Sequence, residues 1–385
     1  MKKICRIISR CNIIAATVFY LLVVRWFDRC RKRRQKVLIV TPLRLGDFAM
    51  FLPVLPDLTE YFRRKNLQVT LLTTPALLPL VRQLERVEII AHPYPENAVS
   101  FSAAYRLYRR LAGERFQVAV AAVTERSFFH DDLPVLYSGA KEVYLPQAVR
   151  LPEKFWWRLP FLMDRSFFRR TIALPEYVKR PEMENYARLT AAITGEFPRY
   201  RKIALPVSEK ALFAPGYILF APGSQDISRC CDMTTAGEAV KYLCRTHQVV
   251  IAGSAAEFER AEILRDCGGD NCINFCGKSD LPALLRLIAD AAMVVGVDSG
   301  IANLAILSGK KAAVAVGWAH DRFMFVPAAA RDSGFSVPQI CRTPESCLHR
   351  NCNWNCRFSA AGKTYPCLQI TAAEFIDVIA RSMEK

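Results

Sequence analysis

Short apolar runs alternate along this chain with longer stretches in which apolar residues recur at helical spacing. Nearly continuous apolar runs between amphipathic helices are typical of parallel sheets that are covered on both faces. The alternation therefore predicts an α/β fold with doubly wound sheets. The predicted strands are residues 37–40, 68–73, 87–91 and 116–123, followed by residues 217–220, 247–252, 272–276, 292–297 and 312–316.

This alternation occurs twice, on either side of residues 197–207, which have prolines near both ends and which we interpret as a linker. A chain of 385 residues is long enough for two domains of ordinary size. We predict an N-terminal segment at 1–35, a first domain at 36–196, a second domain at 208–340, and a cysteine-rich tail with a closing helix at 341–385. The predicted helices include residues 48–64, 176–195 and 281–291, a helix from about 234, and a short buried helix at 301–307.

The apolar run that ends at Val297 is followed at once by Asp298-Ser299-Gly300. In parallel sheets, ligands bind at the carboxyl ends of the strands, where this tripeptide is predicted to lie. Its carboxylate and hydroxyl can bind ligand hydroxyls, and the helix that follows offers its N-terminal amides to a phosphate. The alternative is that Asp298 or Ser299 only caps that helix.

A second candidate site follows the strand predicted at 217–220. Gly223 and Ser224 form a turn that could cradle a phosphate with backbone amides, and Arg229 could pair with the anion. Glu257 follows the next strand, where an acidic residue can bind ribose hydroxyls. The alternative for Glu257 is a helix-start charge. These residues, with Asp298, Ser299 and Gly300, predict a nucleotide-binding second domain.

In the first domain, Asp47 lies at the end of the first predicted strand, just inside a helix. It could act as a general base, or only as a first-turn carboxylate favoured by the helix dipole. Arg44 beside it could bind an anionic group. Residues 130–132, His-Asp-Asp, are interpreted as a polar loop at the ligand-binding edge or, preferably, as a solvated turn. Residues 154–170 interleave basic and aromatic side chains, including Lys154 and Arg158, which suits a membrane interface, a sugar-phosphate acceptor or a buried excursion.

The N-terminal segment has an apolar run at residues 13–24 with basic residues on both sides. The run is shorter than the ~20 residues that a spanning helix needs. We prefer an interfacial anchor on the cytoplasmic face of a membrane, and we expect the fold proper to start at Val37. A single-pass anchor and a core helix are the alternatives.

The formal charge of +17 is compatible with nucleic acid, anionic lipid or a polyanionic substrate. No zinc-finger spacing, RNP aromatics or recognition helix is present, so nucleic acid is not an expected partner. The 14 cysteines are interpreted mostly as reduced thiols. Cys341, Cys347, Cys352 and Cys356 lack the usual C-x₂-C zinc spacing, and thiols are preferred there over a structural zinc site.

Together, these motifs resemble glycosyltransferase family 9, the ADP-heptose:lipopolysaccharide heptosyltransferases and their relatives. The resemblance lies in the order PGS at 222–224, Arg229, GSAAEFERA at 253–261 and residues 277–317. Arg44-Leu45-Gly46-Asp47 is similar to the family's N-terminal pattern, a strand followed by Arg/Ser-x-Gly-Asp. Residues 136–145 resemble its middle segment, and the likeness spans residues 37–379.

The resemblance implies a GT-B fold, two Rossmann-like domains facing each other across a cleft, here with a membrane-associated N-terminal helix. It implies metal-independent, inverting sugar transfer from a nucleotide sugar, with ADP-heptose the favoured donor, onto a lipopolysaccharide or lipid-linked glycan at the cytoplasmic face of the bacterial inner membrane. No cofactor or metal ion is expected. Asp47 would be the base, and Arg44, Lys154 and Arg158 would contact the acceptor. The donor would be held by Gly223, Ser224, Arg229, Glu257, Asp298, Ser299, Gly300 and Asn303.

Two departures from the family pattern leave alternatives open. The family commonly has His where this chain has Asn303, and Trp where it has Cys231. Asn303 can still hydrogen-bond a phosphate or sugar, but it cannot carry charge. Another nucleotide sugar and a catalytically inactive homologue therefore remain alternatives. A nucleotide-dependent oxidoreductase is disfavoured, because no G-x-G-x-x-G opens either domain.

Overall fold

The computed structural model describes residues 11–15, 17, 34–93, 101–148, 171–174, 180–207, 210–224, 229–317, 326–336, 338–341 and 368–384. The chain divides into two compact units. The first comprises Met1–Arg44, Leu55–Pro175 and Tyr186–Pro198, and the second comprises Leu45–Val54, Glu176–Asn185 and Arg199–Lys385. The chain therefore crosses between the units more than once, instead of through a single linker.

The regular elements alternate as the hydrophobic pattern predicted. The described strands are β1 (Lys36–Val40), β2 (Gln68–Thr73), β3 (Val87–Ala91), β4 (Val118–Ala121), β5 (Glu142–Tyr144), β6 (Ile218–Ala221), β7 (Val249–Ile251), β8 (Cys272–Asn274), β9 (Met293–Val297), β10 (Lys311–Ala315) and β11 (Gln339–Cys341). The described helices are α1 (Leu45–Phe51), α2 (Leu55–Arg64), α3 (Leu78–Val81), α4 (Phe101–Glu114), α5 (Leu133–Tyr137), α6 (Glu182–Thr194), α7 (Met233–Leu243), α8 (Phe258–Gly268), α9 (Leu281–Asp290), α10 (Gly300–Leu307) and α11 (Ala372–Glu384).

The described strands of the first unit form a five-stranded sheet in the order β3-β2-β1-β4-β5, with every pairing parallel. Those of the second unit form a six-stranded sheet in the order β11-β10-β9-β6-β7-β8, also parallel. Counted from its own first strand, the second sheet runs 3-2-1-4-5-6, the order of dinucleotide-binding sheets. The sequence prediction of doubly wound parallel sheets is confirmed.

Each sheet has its own core. In the first unit, Leu38, Val40 and Ala119 pack with residues of α4 and α5. In the second unit, Phe220, Val295 and Ala313 pack with residues of α7 and α8. Phe375 of α11 is fully buried in that second core, so the end of the tail completes it.

Residues 48–64 were predicted as one helix, and the structure corrects this prediction to two. Helix α1 ends at Phe51, a turn covers residues 52–54, and α2 begins at Leu55. Pro53 lies in the turn and Pro56 follows at the start of α2. Proline lacks the backbone N–H that a helix interior requires, so the apolar periodicity continues through a break in the backbone.

The described part of the N-terminal segment packs on the first unit. Residues 11–15 and 17 are helical, and Ile13, which is 2% exposed, belongs to the first core. The hydroxyl of Tyr137 donates to Oγ1 of Thr17 at 3.2 Å. The fold therefore begins before Val37, which corrects the expected start. Within the described residues, every helix is too short or too polar to cross a lipid bilayer.

Candidate active site

The strand order places a crevice at the carboxyl edge of the second sheet. Strands β6 and β9 are neighbours, and the chain moves outward from them in opposite directions, to β7 and to β10. In open parallel sheets, ligands bind at such a switch point. Strand β6 ends at Ala221, two residues before Gly223, and β9 ends at Val297, immediately before Asp298. The predicted phosphate loop and the predicted tripeptide are therefore brought together.

Gly296 explains how closely these two strands approach. A Cβ at this position would lie 2.2 Å from the backbone oxygen of Ala221. Only glycine fits there, because the neighbouring backbone cannot yield as a flexible side chain would. A glycine in the middle of a buried strand often marks such a close approach.

The tripeptide at the end of β9 caps helix α10, and a buried amide without a partner among the described residues follows it at Asn303. Ser299 is the N-cap of α10, and its Oγ accepts from the N–H of Ala302 at 3.3 Å. The capping alternative is therefore realised for Ser299. Asn303, in the first turn of α10, is 2% exposed, and its Oδ1 has no hydrogen-bond partner among the described residues. Such a buried, unsatisfied amide oxygen is costly, and a ligand N–H or O–H could satisfy it.

Glu257 lies against the phosphate loop. Its Oε2 accepts from the backbone N–H and from the hydroxyl of Ser254, both at 2.7 Å, which completes a capping box. A Cβ at Gly223 would lie 1.5 Å from Oε1 of Glu257, and a Cβ at Gly253 would lie 2.9 Å from Oε2. Glycines at the ends of β6 and β7 thus make room for this carboxylate. Glu257 fulfils the helix-start role and also lies where a ribose-binding acid is expected.

A buried thiol accepts a hydrogen bond from the phosphate loop. The backbone N–H of Ser224 donates to Sγ of Cys230 at 3.3 Å. Burial raises the pKa of this thiol, and the bond from Ser224 and the positive charges of Arg260 and Arg229 act in the opposite direction. The charges of Arg260, Arg229 and Glu257 all influence the pKa of this thiol, so these three side chains lie near Cys230. Two positive side chains and one negative side chain therefore surround the thiol at this loop.

The helix that carries Asp47 is part of the second unit. Helix α1 packs against α10. A Cβ at Gly46 would lie 3.3 Å from Nδ2 of Asn303, and a Cβ at Gly300 would lie 3.3 Å from the backbone N of Gly46. Asp47, half-buried in the first turn of α1, is thereby brought to the same edge as the tripeptide Asp298-Ser299-Gly300. Arg44 is exposed and is counted with the first unit.

Several other residues singled out from the sequence lie outside the described part of the chain. Lys154 and Arg158 lie outside the described residues, as do Cys347, Cys352 and Cys356. Cys231, at the second departure from the family pattern, is buried in the core of the second unit and burial raises its pKa to about 12. Within the described residues, no three His, Cys, Asp or Glu side chains are grouped as a metal site would need.

Residues 130–132 are not the solvated turn that we preferred. They belong to a π-helical turn, Phe128–Asp132, in which Asp131 and Asp132 are buried. Asp132 pairs with Arg126, with Nε to Oδ1 at 2.8 Å, and Oδ2 of Asp131 accepts from the N–H of Ser127 at 2.6 Å. Burial raises the pKa of Asp131 to about 8, with the charge of Asp132 acting in the same direction. This carboxyl group is therefore mostly protonated at neutral pH.

Sequence reasoning missed three contributors to the site: Gly46, Cys230 and Ser254. Ser254 could have been found, since Ser-x-x-Glu before an apolar stretch is the pattern of a capping box. Gly46 lies inside the quoted motif, but its close approach to α10 depends on tertiary packing. No local pattern identifies Cys230, because its bond to Ser224 joins residues six positions apart in the sequence.

Residues 168–354 match the model described as glycosyltransferase family 9 (heptosyltransferase). The match confirms the resemblance inferred from the motifs and identifies the chain as a glycosyltransferase. Among curated protein sequences, no match was found.

The fold of this chain is similar to the folds of solved glycosyltransferase structures. ADP-heptose lps heptosyltransferase II of E. coli is 17% identical, with a TM-score of 0.65, and the match covers 91% of this chain and 98% of that one. A family 9 glycosyl transferase from Veillonella parvula DSM 2008 is 13% identical, with a TM-score of 0.67 and coverages of 92% and 98%. E. coli heptosyltransferase WaaC with ADP is 16% identical, with a TM-score of 0.63 and coverages of 90% and 99%. The fold, two parallel-sheet α/β domains as in these transferases, is confirmed.

Proposed function

We propose that this glycosyltransferase moves a heptose from ADP-heptose onto a lipopolysaccharide core or a related lipid-linked glycan, with inversion and without a metal ion. The observation that carries the proposal is the convergence of Asp47, the phosphate loop and residues 298–303 at one edge of the second sheet. The similar structures of E. coli heptosyltransferase WaaC, described with ADP and with ADP-2-deoxy-2-fluoro heptose, support the choice of nucleotide.

The donor site follows from the chemistry of the residues at that edge. The backbone amide of Gly223 and the N-terminus of α10 would bind the diphosphate, and Arg229 would pair with its charge. Glu257 would accept from ribose hydroxyls through Oε1, because Oε2 is occupied by Ser254. The amide of Asn303, whose Oδ1 lacks a partner among the described residues, would bind the sugar or a phosphate.

The reaction needs a base at the acceptor and stabilisation of the leaving group. Asp47 would take the proton from the acceptor hydroxyl while the hydroxyl oxygen attacks the anomeric carbon of the donor sugar. The bond from that carbon to the diphosphate oxygen breaks, and the nucleoside diphosphate leaves with the electron pair. Arg229 and the α10 amides would stabilise the charge that develops on the leaving oxygen, a function that metal ions perform in other enzymes.

Basic residues would bind the acceptor. Arg44, Lys154 and Arg158 remain candidates for binding the anionic groups of a lipopolysaccharide core. The proposed location is the cytoplasmic face of the bacterial inner membrane, because a lipid-linked acceptor is confined to the bilayer. The basic residues that flank residues 13–24 would contribute there, although Ile13 itself is used in the first core.

A substitution at Asp47 tests the assignment of the base. Asp47→Asn should lower the turnover of ADP-heptose by ~10²–10⁴-fold, the range of general-base catalysis, with ADP affinity little changed. Asp57→Asn is the matched control, because Asp57 is also a first-turn carboxylate, on the neighbouring helix α2. Turnover close to wild type in Asp47→Asn, or an equal loss in Asp57→Asn, would remove Asp47 from this role.

Two further assays separate the alternatives. Transfer should persist in EDTA, and its loss would contradict the metal-independent reaction. ADP-, GDP- and UDP-linked sugars tested in parallel identify the nucleotide. Absence of both transfer and donor hydrolysis with all three would favour the inactive homologue, for which Asn303 in place of the family's histidine is the supporting residue.

A further inference from the structure

Helix α4 exposes aromatic side chains on its outer surface. Phe101 is 41% exposed and Tyr105 is 54% exposed, although both are large and apolar. Their rings stack, with centroids 6.4 Å apart and planes 22° apart. The opposite side of the helix is fully used, because Ala104, Leu107, Tyr108 and Leu111 are buried in the first core. The exposed rings are therefore not needed to hold the helix in place.

The same exposed side is basic. Arg106 and Arg109 are exposed, and neither has a carboxylate within salt-bridge distance among the described residues. Arg110 lies at the margin and approaches Glu88 at 3.7 Å. The only acidic residue of α4 is Glu114 at its end, which pairs with Lys36 at 2.9 Å. We call Phe101, Tyr105, Arg106 and Arg109 the α4 face.

The topology places the start of helix α4 at the carboxyl edge of the first sheet. Strand β3 ends at Ala91 and α4 begins at Phe101, so the N-terminal half of α4 starts from the carboxyl edge of that sheet. The basic N-terminal segment joins the same core, since Ile13 and Ile14 pack in the cluster that holds the inner side of α4. Residues 1–36 contain eleven basic residues and one acidic residue. The N-terminal sequence that contributes Ile13 and Ile14 to this core is therefore strongly basic.

We propose that the α4 face docks on an anionic lipid bilayer. Stacked aromatic rings suit the interfacial zone of a membrane, and arginines beside them would pair with lipid phosphates. A soluble polyanion would account for the arginines but not for two exposed rings. The inference rests on the proposed lipid-linked acceptor, whose effective concentration near the enzyme docking would raise. Vesicle binding is measured without donor or acceptor, so either proposal can fail alone.

The test is co-sedimentation of the full chain with vesicles of phosphatidylglycerol and phosphatidylcholine in equal parts. Arg106→Gln/Arg109→Gln should weaken binding about 10- to 30-fold, since each basic residue at an anionic surface contributes about fivefold. Phe101→Ser/Tyr105→Ser should also weaken binding. The matched control is Arg82→Gln/Arg245→Gln, which changes the net charge equally at two other exposed arginines and should retain binding within about threefold of wild type. Unchanged unfolding temperatures establish that all three variants fold.

Several results would overturn the proposal. Binding of both α4-face variants as tight as wild type would show that other residues, such as the basic N-terminal segment, carry attachment. An equal loss of vesicle binding in the control variant would show that binding depends only on the net charge of the protein. Normal vesicle binding combined with lost transfer to a soluble acceptor fragment would assign the face to the glycan instead of the bilayer. If wild type bound vesicles of pure phosphatidylcholine as tightly as the mixed vesicles, anionic lipid would not be needed for docking.

Discussion

Replacing Gly223 by alanine tests how the donor site is assembled. The new Cβ would lie 1.5 Å from Oε1 of Glu257 and 2.6 Å from its Cδ. Real Cβ atoms essentially never lie within 3.0 Å of another heavy atom, so Oε1 must move by at least about 1.5 Å. Because Oε2 is held by two hydrogen bonds to Ser254, a shift of that size pulls the carboxylate out of its present position.

Two separate losses follow from this displacement. The capping box of Ser254 and Glu257 would be broken, and loss of a helix cap typically costs about 1 kcal/mol. For a unit of roughly 200 residues, this lowers the unfolding temperature by about 2–4 °C. The bond from ribose to the carboxylate would also be lost, and a hydrogen bond to a charged group contributes ~1.5–3 kcal/mol. The dissociation constant for ADP should therefore rise by about 10- to 150-fold.

The assay combines calorimetric titration of ADP with thermal unfolding of the same samples. Gly113→Ala is the matched control, because a Cβ at Gly113, in helix α4, would meet nothing within 4 Å. That variant should be more stable by about 0.5–1 kcal/mol, since glycine is unfavourable within a helix, and its ADP affinity should equal that of wild type. Unchanged ADP affinity in Gly223→Ala, with the expected drop in unfolding temperature, would show that Glu257 is only a helix cap.

Three other substitutions probe the remaining features. Asn303→Ala should lower kcat/KM by about tenfold or more at almost unchanged stability, because it removes a buried amide whose Oδ1 has no partner among the described residues; steady-state kinetics and melting curves check this. Gly296→Ala should prevent folding of the second unit, because its Cβ would lie 2.2 Å from the oxygen of Ala221, and a native circular-dichroism spectrum with normal stability would contradict it. Asp131 has a folded-state pKa of about 8, whereas an unfolded aspartate ionises near 4. Its contribution to stability is thus fully present below pH ~4 and is lost as pH rises through about 8, by at most ~1.4 kcal/mol per pH unit. Denaturation of Asp131→Asn at pH ~5 and ~8 should show a smaller difference than wild type, and an equal difference would refute the assignment.

The strands and the residues at their carboxyl ends could be predicted because they depend on local pattern. Buried parallel strands are apolar on both faces, and the residue that ends such a strand lies at the ligand-binding edge whatever the tertiary details. Asp298 and Gly223 were therefore placed from the sequence, and the parallel sheet brings them together.

Features that depend on tertiary packing could not be predicted in this way. Helix α1 follows a strand of the first sheet but packs on α10 of the second unit, because Gly46 and Gly300 allow the two backbones to approach. Asp131 and Asp132 were interpreted as solvated because carboxylates are rarely buried. Arg126 compensates the charge of Asp132 from six residues away, and no periodicity indicates that pairing.

The central claim is that the carboxyl edge of the second sheet holds the nucleotide part of the donor. Amide hydrogen exchange, measured with and without saturating ADP, tests this placement directly. We predict that ADP slows exchange at residues 222–224, 254–257 and 299–303, with little change in the strands of the first sheet. Protection confined to the first unit, or no protection at these three segments while calorimetry shows that ADP is bound, would contradict it.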